Sequence, residues 1–478
     1  MKIQIMAAVA LAYAAISIQA AGPHGTQAGW PIDDSGNVLI TDAVANRMAA
    51  SGAGWIRVHF RRGPYWGDEP GFYQKYDEIV NRLRARGLQI VGLVSYETWP
   101  GSQADWCANN WENTGGDGYN GYIDGFGYMF GRVAAHFEGR VKMWEVWNEP
   151  NCYEWSPAPG EFVGCYYIYP SNLAALLTHC HSQVRFYNNI DVQIISGGLF
   201  GHDIAGFNWE SSGAQYLSDL YYVGINITGK FAWTMGAYGQ YPLDAIGQHI
   251  YINQGGAVSS SWFGTYLDWV RSVVTSYEGG GSPKKTWMTE FGWETVGGVS
   301  ESQQSANLNT AYNVMNGKSY VASGLQFLLE DNPAGDLYYG LFRPNLTQKP
   351  SYNTFKTKNT YEGKRSNGAT VTAILNKFNS GGGMAANGSP YNNGGTAWAH
   401  WWDYGYVQDF DGGSVGPCAI FDTGYRVQMG FWTTYLQGGN HTYLRFPTSD
   451  EFSWGAGTRQ NFQGGYMTWD PANGVVVH

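Results

Sequence analysis

Val141-Lys142-Met143-Trp144-Glu145-Val146-Trp147-Asn148-Glu149-Pro150-Asn151 reads as an apolar strand that runs into a carboxylate. Later in the chain, Lys285-Thr286-Trp287-Met288-Thr289-Glu290-Phe291-Gly292-Trp293 repeats the pattern. A carboxylate at the end of an apolar strand is expensive to bury without a partner or a purpose. The two stretches therefore place Glu149 and Glu290 at strand ends and ask what kind of sheet brings such ends together.

Around these two, short apolar runs alternate with helix-like stretches from about residue 50 to 345. Strand-like runs fall at 54–60, 88–95, 141–148, 192–197, 245–251, 285–290 and 324–329. Helix-like runs fall at 41–51, 76–86, 173–184 and 264–277. Alternation of this kind predicts βα units and a parallel sheet. An additional first strand at 24–28 brings the number to eight, which favours an α/β fold closed as a (β/α)8 barrel over residues 21–357. In such a barrel, residues two apart on a strand share a face. Arg57 and His59 then point the same way, as do His249 and Tyr251, and all four can reach the barrel mouth.

Two carboxyl groups at the mouth are what glycosidic bond cleavage needs. One protonates the departing oxygen, and the other attacks carbon or activates water. The composition agrees. Of 478 residues, 16% are aromatic, including 21 Trp and 34 Tyr. Such rings offer a flat apolar face with a polar edge, suited to the C–H faces of sugars. Trp66, Trp99, Trp155 and Trp293 follow strand ends and are candidates to line sugar subsites. Only 14% of residues are charged and the net charge is −10, which excludes the basic stripe of a nucleic-acid binder. No dinucleotide or phosphate-binding glycine motif is present, and no cofactor or metal is expected.

In these residues the chain resembles the clan A glycoside hydrolases, the group that includes families five and thirty-nine. The resemblance spans roughly residues 50–355. It implies that Glu149, in Asn148-Glu149-Pro150, is the acid/base and that Glu290 is the nucleophile. It further implies that Arg57 stands beside the nucleophile, that His249-Ile250-Tyr251 is the His-x-Tyr of strand six, and that Asn148 holds the sugar's 2-hydroxyl. The expected substrate-binding set is Arg57, His59, Trp99, Asn148, His249, Tyr251 and Trp293. Lys349-Pro350-Ser351-Tyr352 resembles the start of the last barrel helix. The mechanism implied is retaining and the substrate a β-linked polysaccharide, oligosaccharide or glycoside. A transglycosylase with the same residues and an inert glycan-binding barrel are the alternatives. A nucleophile beside Arg57 and Tyr251 is expected to be ionised, whereas the acid/base is expected in a less polar site that raises its pKa.

The N-terminus carries Lys2, an apolar run from 5 to 18, and small residues at Ala20, Ala21 and Gly22. This reads as a signal peptide over residues 1–20 and an exported, extracellular product without a membrane span. Export permits disulfides. Of the five cysteines, Cys152 and Cys165 are the expected pair, and Cys180 is expected as a small core residue.

After Phe355 the composition turns to Gly, Asn, Trp and Tyr, and residues 358–478 form a smaller module. Within it lies an internal repeat of about 55 residues. Phe378 aligns with Tyr435, Pro390 with Pro447, and Gln408-Asp409-Phe410 with Gln460-Asn461-Phe462. The tail resembles LGFP-repeat modules of bacterial envelope and secreted proteins. Leu444-Arg445-Phe446-Pro447-Thr448-Ser449-Asp450-Glu451 and Phe462-Gln463-Gly464-Gly465-Tyr466-Met467-Thr468-Trp469 carry that likeness, with Arg445 in place of the motif's glycine. It implies a contact with cell wall or glycan.

Overall fold

The computed structural model describes residues 24–478 except 109–117, 153–165, 204–205, 362, 366–368, 389, 392–398, 411 and 413–414, and except the side chains of 384 and 385. The signal-peptide expectation, Trp155 and Cys165 lie outside the described residues. Cys152 is disulfide-bonded, while Cys107 and Cys180 are free thiols. Cys180 is fully buried, as a core residue should be.

Eight parallel strands close into a barrel in chain order. They are β1 (Gly25–Gln27), β2 (Trp55–His59), β3 (Gln89–Val94), β4 (Met143–Asn148), β5 (Gln193–His202), β6 (Ala245–Tyr251), β7 (Lys285–Phe291) and β8 (Val321–Gln326). β1 closes the ring by pairing with both β2 and β8. Alternation decides which side chains point inward. Trp55, Val91, Met143, Ile195, Ala245 and Trp287 form one buried layer inside the barrel. Two residues farther along β2 and β4, Arg57 and Glu145 face inward in the next layer toward the mouth.

Helices cover the outside, and local chemistry starts them. The Asp68 side chain accepts from Gly71 N at 3.0 Å and Pro70 lies in the first turn, so that helix spans Glu69–Arg84. It begins earlier than hydrophobic spacing alone suggested. Ser259, Ser300 and Asn120 cap Ser260–Glu278, Glu301–Asn316 and Gly121–His136 in the same way. β8 begins at Val321, three residues ahead of the expected start. Its Ser323 and Gln326 are buried though polar, so hydropathy under-reads the strand. The last barrel helix is Pro350–Asn359. No helix among the described residues is long and apolar enough to cross a membrane.

Among the described residues, the C-terminal region holds two small antiparallel sheets. Helix Thr372–Ser380 precedes β9 (Pro390–Tyr391), β10 (His400–Trp402), β11 (Gly405–Phe410), β12 (Cys418–Phe421) and β13 (Arg426–Gln428). Helix Met429–Leu436 precedes β14 (Phe452–Trp454), β15 (Gly457–Asn461), β16 (Tyr466–Asp470) and β17 (Gly474–Val477). Positions aligned by the internal repeat are buried in both copies: Phe378 and Tyr435, Gln408 and Gln460, Phe410 and Phe462. This region meets the barrel at the N-terminal end of β3, where Gln89 Nε2 and Arg84 Nη2 donate to Gly412 O at 3.4 and 3.5 Å. That end is opposite the mouth.

Candidate active site

Glu149 follows β4 through an irregular turn. Trp147 and Glu149 have φ of 79° and 47°, in the left-handed region that side chains rarely adopt. Each such residue costs roughly 1–3 kcal/mol and persists only where its surroundings hold it. Trp147 is held by full burial and by donation from its indole Nε1 to Tyr166 O at 2.8 Å. The turn breaks the strand's alternation just where Asn148 and Glu149 are presented.

Glu290 arrives from β7 and meets two donors. Arg57 Nη1 donates to its Oε1, and the Tyr251 hydroxyl donates to Oε2 at 2.8 Å. Burial pushes the Glu290 carboxyl up. The charges of His249 and Arg57 and the Tyr251 hydroxyl outweigh that, so its pKa lies below the ordinary value. Arg57 is nearly inaccessible and fully engaged. Its Nε donates to Glu145 Oε2 at 2.6 Å, Nη2 to Asn148 Oδ1 at 2.8 Å, and Nη1 also to Gln27 Oε1 at 3.3 Å. One guanidinium thus ties β1, β2, β4 and β7 together beneath the mouth.

His249 joins the two sides. Its Nδ1 lies 2.8 Å from Glu149 Oε1 and 3.9 Å from Glu290 Oε2, and its Nε2 lies 3.0 Å from Thr289 Oγ1. Burial lowers the imidazole pKa. The Glu290 charge, the nearby Glu145 carboxylate and bonding to Glu149 reverse this and raise it to about 9. Gly198 on β5 makes room for the ring, since a Cβ there would lie 2.1 Å from His249 Nε2. One oxygen or nitrogen from each of Glu149, His249 and Glu290 lies within 4.8 Å of the others. These atoms are committed to one another, to Arg57 and to Tyr251, an arrangement of acid, base and counter-charge.

The structure brings Arg57, Asn148, Glu149, His249, Tyr251 and Glu290 into one cluster. His59 stands at its edge, with Nε2 2.8 Å from Ser95 Oγ and Nδ1 3.3 Å from Glu97 Oε2. Burial and the Arg57 and Arg61 charges lower its pKa to about 3, so it is neutral. Trp66 is exposed and, with Arg61, Tyr96 and Glu97, lines a cavity of about 290 Å³ beside the mouth. Trp99 packs instead against helix Gly121–His136, where a Cβ on Gly125 would lie 2.3 Å from its ring.

Trp293 departs from its expected subsite role. It is 0% exposed, and its Nε1 donates to Ile252 O at 2.9 Å. An indole with a buried acceptor for its N–H is a packing residue. Trp293→Phe is expected to lower unfolding free energy by about 2 kcal/mol through lost volume and an orphaned carbonyl, with KM unchanged. Chemical denaturation beside steady-state kinetics checks this.

Sequence reading passed over several residues in this cluster: Glu145, Thr289, Phe327 and Tyr339. Phe327 follows β8, and its ring centroid lies 6.3 Å from Tyr251 and 5.4 Å from Tyr339. These rings form an aromatic wall beside Glu290. Glu145 had a readable signal, being a charge inside an apolar strand at even spacing from Glu149.

The LGFP repeat family matches residues 444–478. No curated protein matches the chain. Among solved structures, the chain is similar to an endo-β-1,4-glucanase from Xanthomonas axonopodis pv. citri, at 16% identity over 72% of this chain and 98% of that one, with a TM-score of 0.47. It is similar to a family 39 glycoside hydrolase from the gut symbiont Bacteroides cellulosilyticus, at 13% identity over 83% and 70%, with a TM-score of 0.46. It is also similar to a broad-specificity endoglucanase from Clostridium longisporum, at 11% identity over 74% and 97%, with a TM-score of 0.49. Likeness at this level assigns no activity. By its own strand pairing and the repeat match, the chain is a closed eight-stranded parallel barrel joined to a C-terminal region that contains an LGFP repeat.

Proposed function

We propose that this protein is an exported retaining glycoside hydrolase that cleaves β-linked glycosides by double displacement. The observation that carries the reading is the pair Glu149 and Glu290. They face each other from the ends of β4 and β7, with carboxylate oxygens within 4.8 Å. Retaining pairs stand about 5 Å apart, whereas an inverting pair needs about 6.5–9.5 Å to admit a water. In the first step Glu290, kept ionised by Arg57, His249 and Tyr251, attacks the anomeric carbon. Glu149 gives its proton to the departing oxygen. In the second step Glu149 takes a proton from water, which attacks the glycosyl ester and frees Glu290. Arg57 holds Asn148 Oδ1, which leaves the amide NH2 to donate to a sugar hydroxyl. Side chains alone supply this chemistry.

A transglycosylase would use the same residues with a sugar acceptor in place of water. An inert glycan-binding barrel is disfavoured by the intact, hydrogen-bonded carboxylate pair. Purified protein assayed on aryl β-glycosides and β-linked polymers, with and without acceptor sugar, separates the three. The product anomer, read early by NMR, is expected to match the substrate's. An inverted anomer would overturn the retaining reading.

We assign residues 21–357 to the catalytic unit and 358–478 to a module that contacts cell wall or glycan. The tail meets the barrel at the end opposite the mouth. A truncation after Asn359 is therefore expected to keep turnover of a small aryl glycoside while losing retention on insoluble polymer or wall. Loss of small-substrate turnover in a well-folded truncation would mean that the tail completes the site.

A further inference from the structure

Beneath Glu149 runs a chain of hydrogen bonds whose direction is set by its last member. Glu145 is fully buried on β4. Its Oε2 accepts from Arg57 Nε at 2.6 Å. Its Oε1 accepts from Gly198 N at 3.0 Å and from the Thr289 hydroxyl at 2.7 Å. An ionised carboxylate only accepts. Thr289 therefore gives its one hydroxyl proton to Glu145 and must accept from its other neighbour, His249 Nε2, at 3.0 Å. Nε2 then carries a hydrogen in either charge state of the ring. Nδ1 is the nitrogen that gains and loses a proton, and it lies 2.8 Å from Glu149 Oε1.

We propose that Glu145 is a positioning residue: through Thr289 it fixes the tautomer of His249, so that His249 Nδ1 and Glu149 Oε1 hold one proton between them for delivery to the leaving group. This rests on the reading of Glu149 as the acid/base. The charged groups facing His249 are Glu145 at 3.8 Å and Glu149 from the β4 side, and Glu290 at 3.9 Å from β7. Arg57 on β2 faces the carboxylates from below. Tyr251, on the same strand as His249, donates to Glu290. Burial opposes a charged His249 and these carboxylates favour it, with the pKa raised to about 9. His249 therefore keeps its proton through neutral pH. Glu145 itself stays an acceptor: burial pushes its carboxyl up, but Arg57 and His249 bring the pKa to about 2.

Glu145→Gln tests the relay. With the amide oxygen kept on Arg57 Nε, the NH2 takes the place of Oε1, gives up the Gly198 N bond and donates to Thr289, which frees the hydroxyl to donate to His249 Nε2. The ring proton then sits on Nδ1, where it can only donate to an ionised Glu149. The basic limb of kcat/KM is expected to fall by about one pH unit. Turnover of poor leaving groups should drop by roughly tenfold or more, while a 2,4-dinitrophenyl glycoside, which needs no acid, and KM should hold steady. Thr289→Val should reproduce this pattern, and Thr289→Ser, which restores the hydroxyl, should recover the wild-type limb. Nitrogen-15 NMR of the wild-type ring should show Nε2 protonated above the ring's pKa. A bare Nε2 in the wild type would overturn the proposal, as would equal losses on all leaving groups in both Glu145→Gln and Thr289→Val. If Glu145→Gln does not fold, Thr289→Val and the ring spectrum still decide. If the wild type turns over no glycoside, the hydrolase reading fails, and the ring spectrum alone decides the tautomer.

Discussion

Glu290→Ala is expected to remove turnover of every substrate by roughly 10⁵-fold, the scale on which loss of a single nucleophile acts. No other described carboxylate is placed to replace it. Glu145 is fully buried and bound to Arg57, Thr289 and Gly198, and Glu149 is turned toward His249. Glu149→Ala should behave differently. Hydrolysis of substrates with poor leaving groups should fall by roughly 10²–10⁴-fold, but activated aryl glycosides should still form the glycosyl-enzyme. Azide, small and needing no base, should enter the space left by the side chain and release a β-glycosyl azide, restoring turnover. No such product forms with Glu290→Ala if Glu290 is the residue that bears the glycosyl group. Steady-state rates with and without azide, and the anomer of the azide product, make the assignment. A β-glycosyl azide from Glu290→Ala in place of Glu149→Ala would exchange the two roles, since azide attacking without a glycosyl-enzyme gives the inverted anomer.

Much of this was legible because a barrel strand obeys a period of two. Arg57 and His59, and likewise His249 and Tyr251, could be put on one face from sequence. The structure sets Arg57, His249 and Tyr251 around Glu290, with His59 at the margin. The strand ends at Glu149 and Glu290 were equally readable, since a carboxylate closing an apolar run has few bland explanations. What escaped reading depends on distance in space. Trp293 follows a strand end like a subsite residue, but its indole turns inward to Ile252 O, and nothing local in the sequence announces that turn. Thr289 looks like an ordinary strand residue until His249 and Glu145 are placed on either side of it. The positive φ at Trp147 and Glu149 belongs to side chains that normally avoid it, so no residue type signals it. The tail's two sheets were hidden for another reason: strands as short as Pro390–Tyr391 and His400–Trp402 offer no periodicity to detect, and the repeat showed only which positions correspond.

Arg57→Met should have the largest combined effect on activity and stability, because one guanidinium serves both the buried Glu145 and the partly buried Glu290. In the wild type, burial works against the Glu145 charge, but Arg57 and His249 set its pKa at about 2, against about 4.3 in an unfolded chain. A depressed pKa contributes stability that is present above the unfolded value and is lost as pH falls through the folded one. For Glu145 that contribution is roughly 3 kcal/mol, present above about pH 4.3 and lost toward pH 2. His249 works in the opposite sense. Its raised pKa, about 9, contributes stability present below about pH 6.5 and lost as pH rises through 9. Methionine fills much of the same space without charge. Glu145 then sits at 0% exposure with no guanidinium, and breaking a buried pair this way costs about 3–5 kcal/mol near neutral pH. With burial unopposed by Arg57, the Glu145 pKa rises, and the sign of its pH dependence turns over. The wild type should lose stability from pH 4.3 downward, whereas Arg57→Met should gain stability as pH falls from neutral and protonates Glu145. Glu290 loses the same counter-charge, so the acid limb of kcat/KM should move to higher pH in the variant. Denaturation midpoints measured from pH 3 to 8 for both proteins, beside the pH–rate profile, test the two halves separately. Parallel stability curves would show that Arg57 does not hold Glu145 ionised, and an unmoved acid limb would show that it does not hold Glu290.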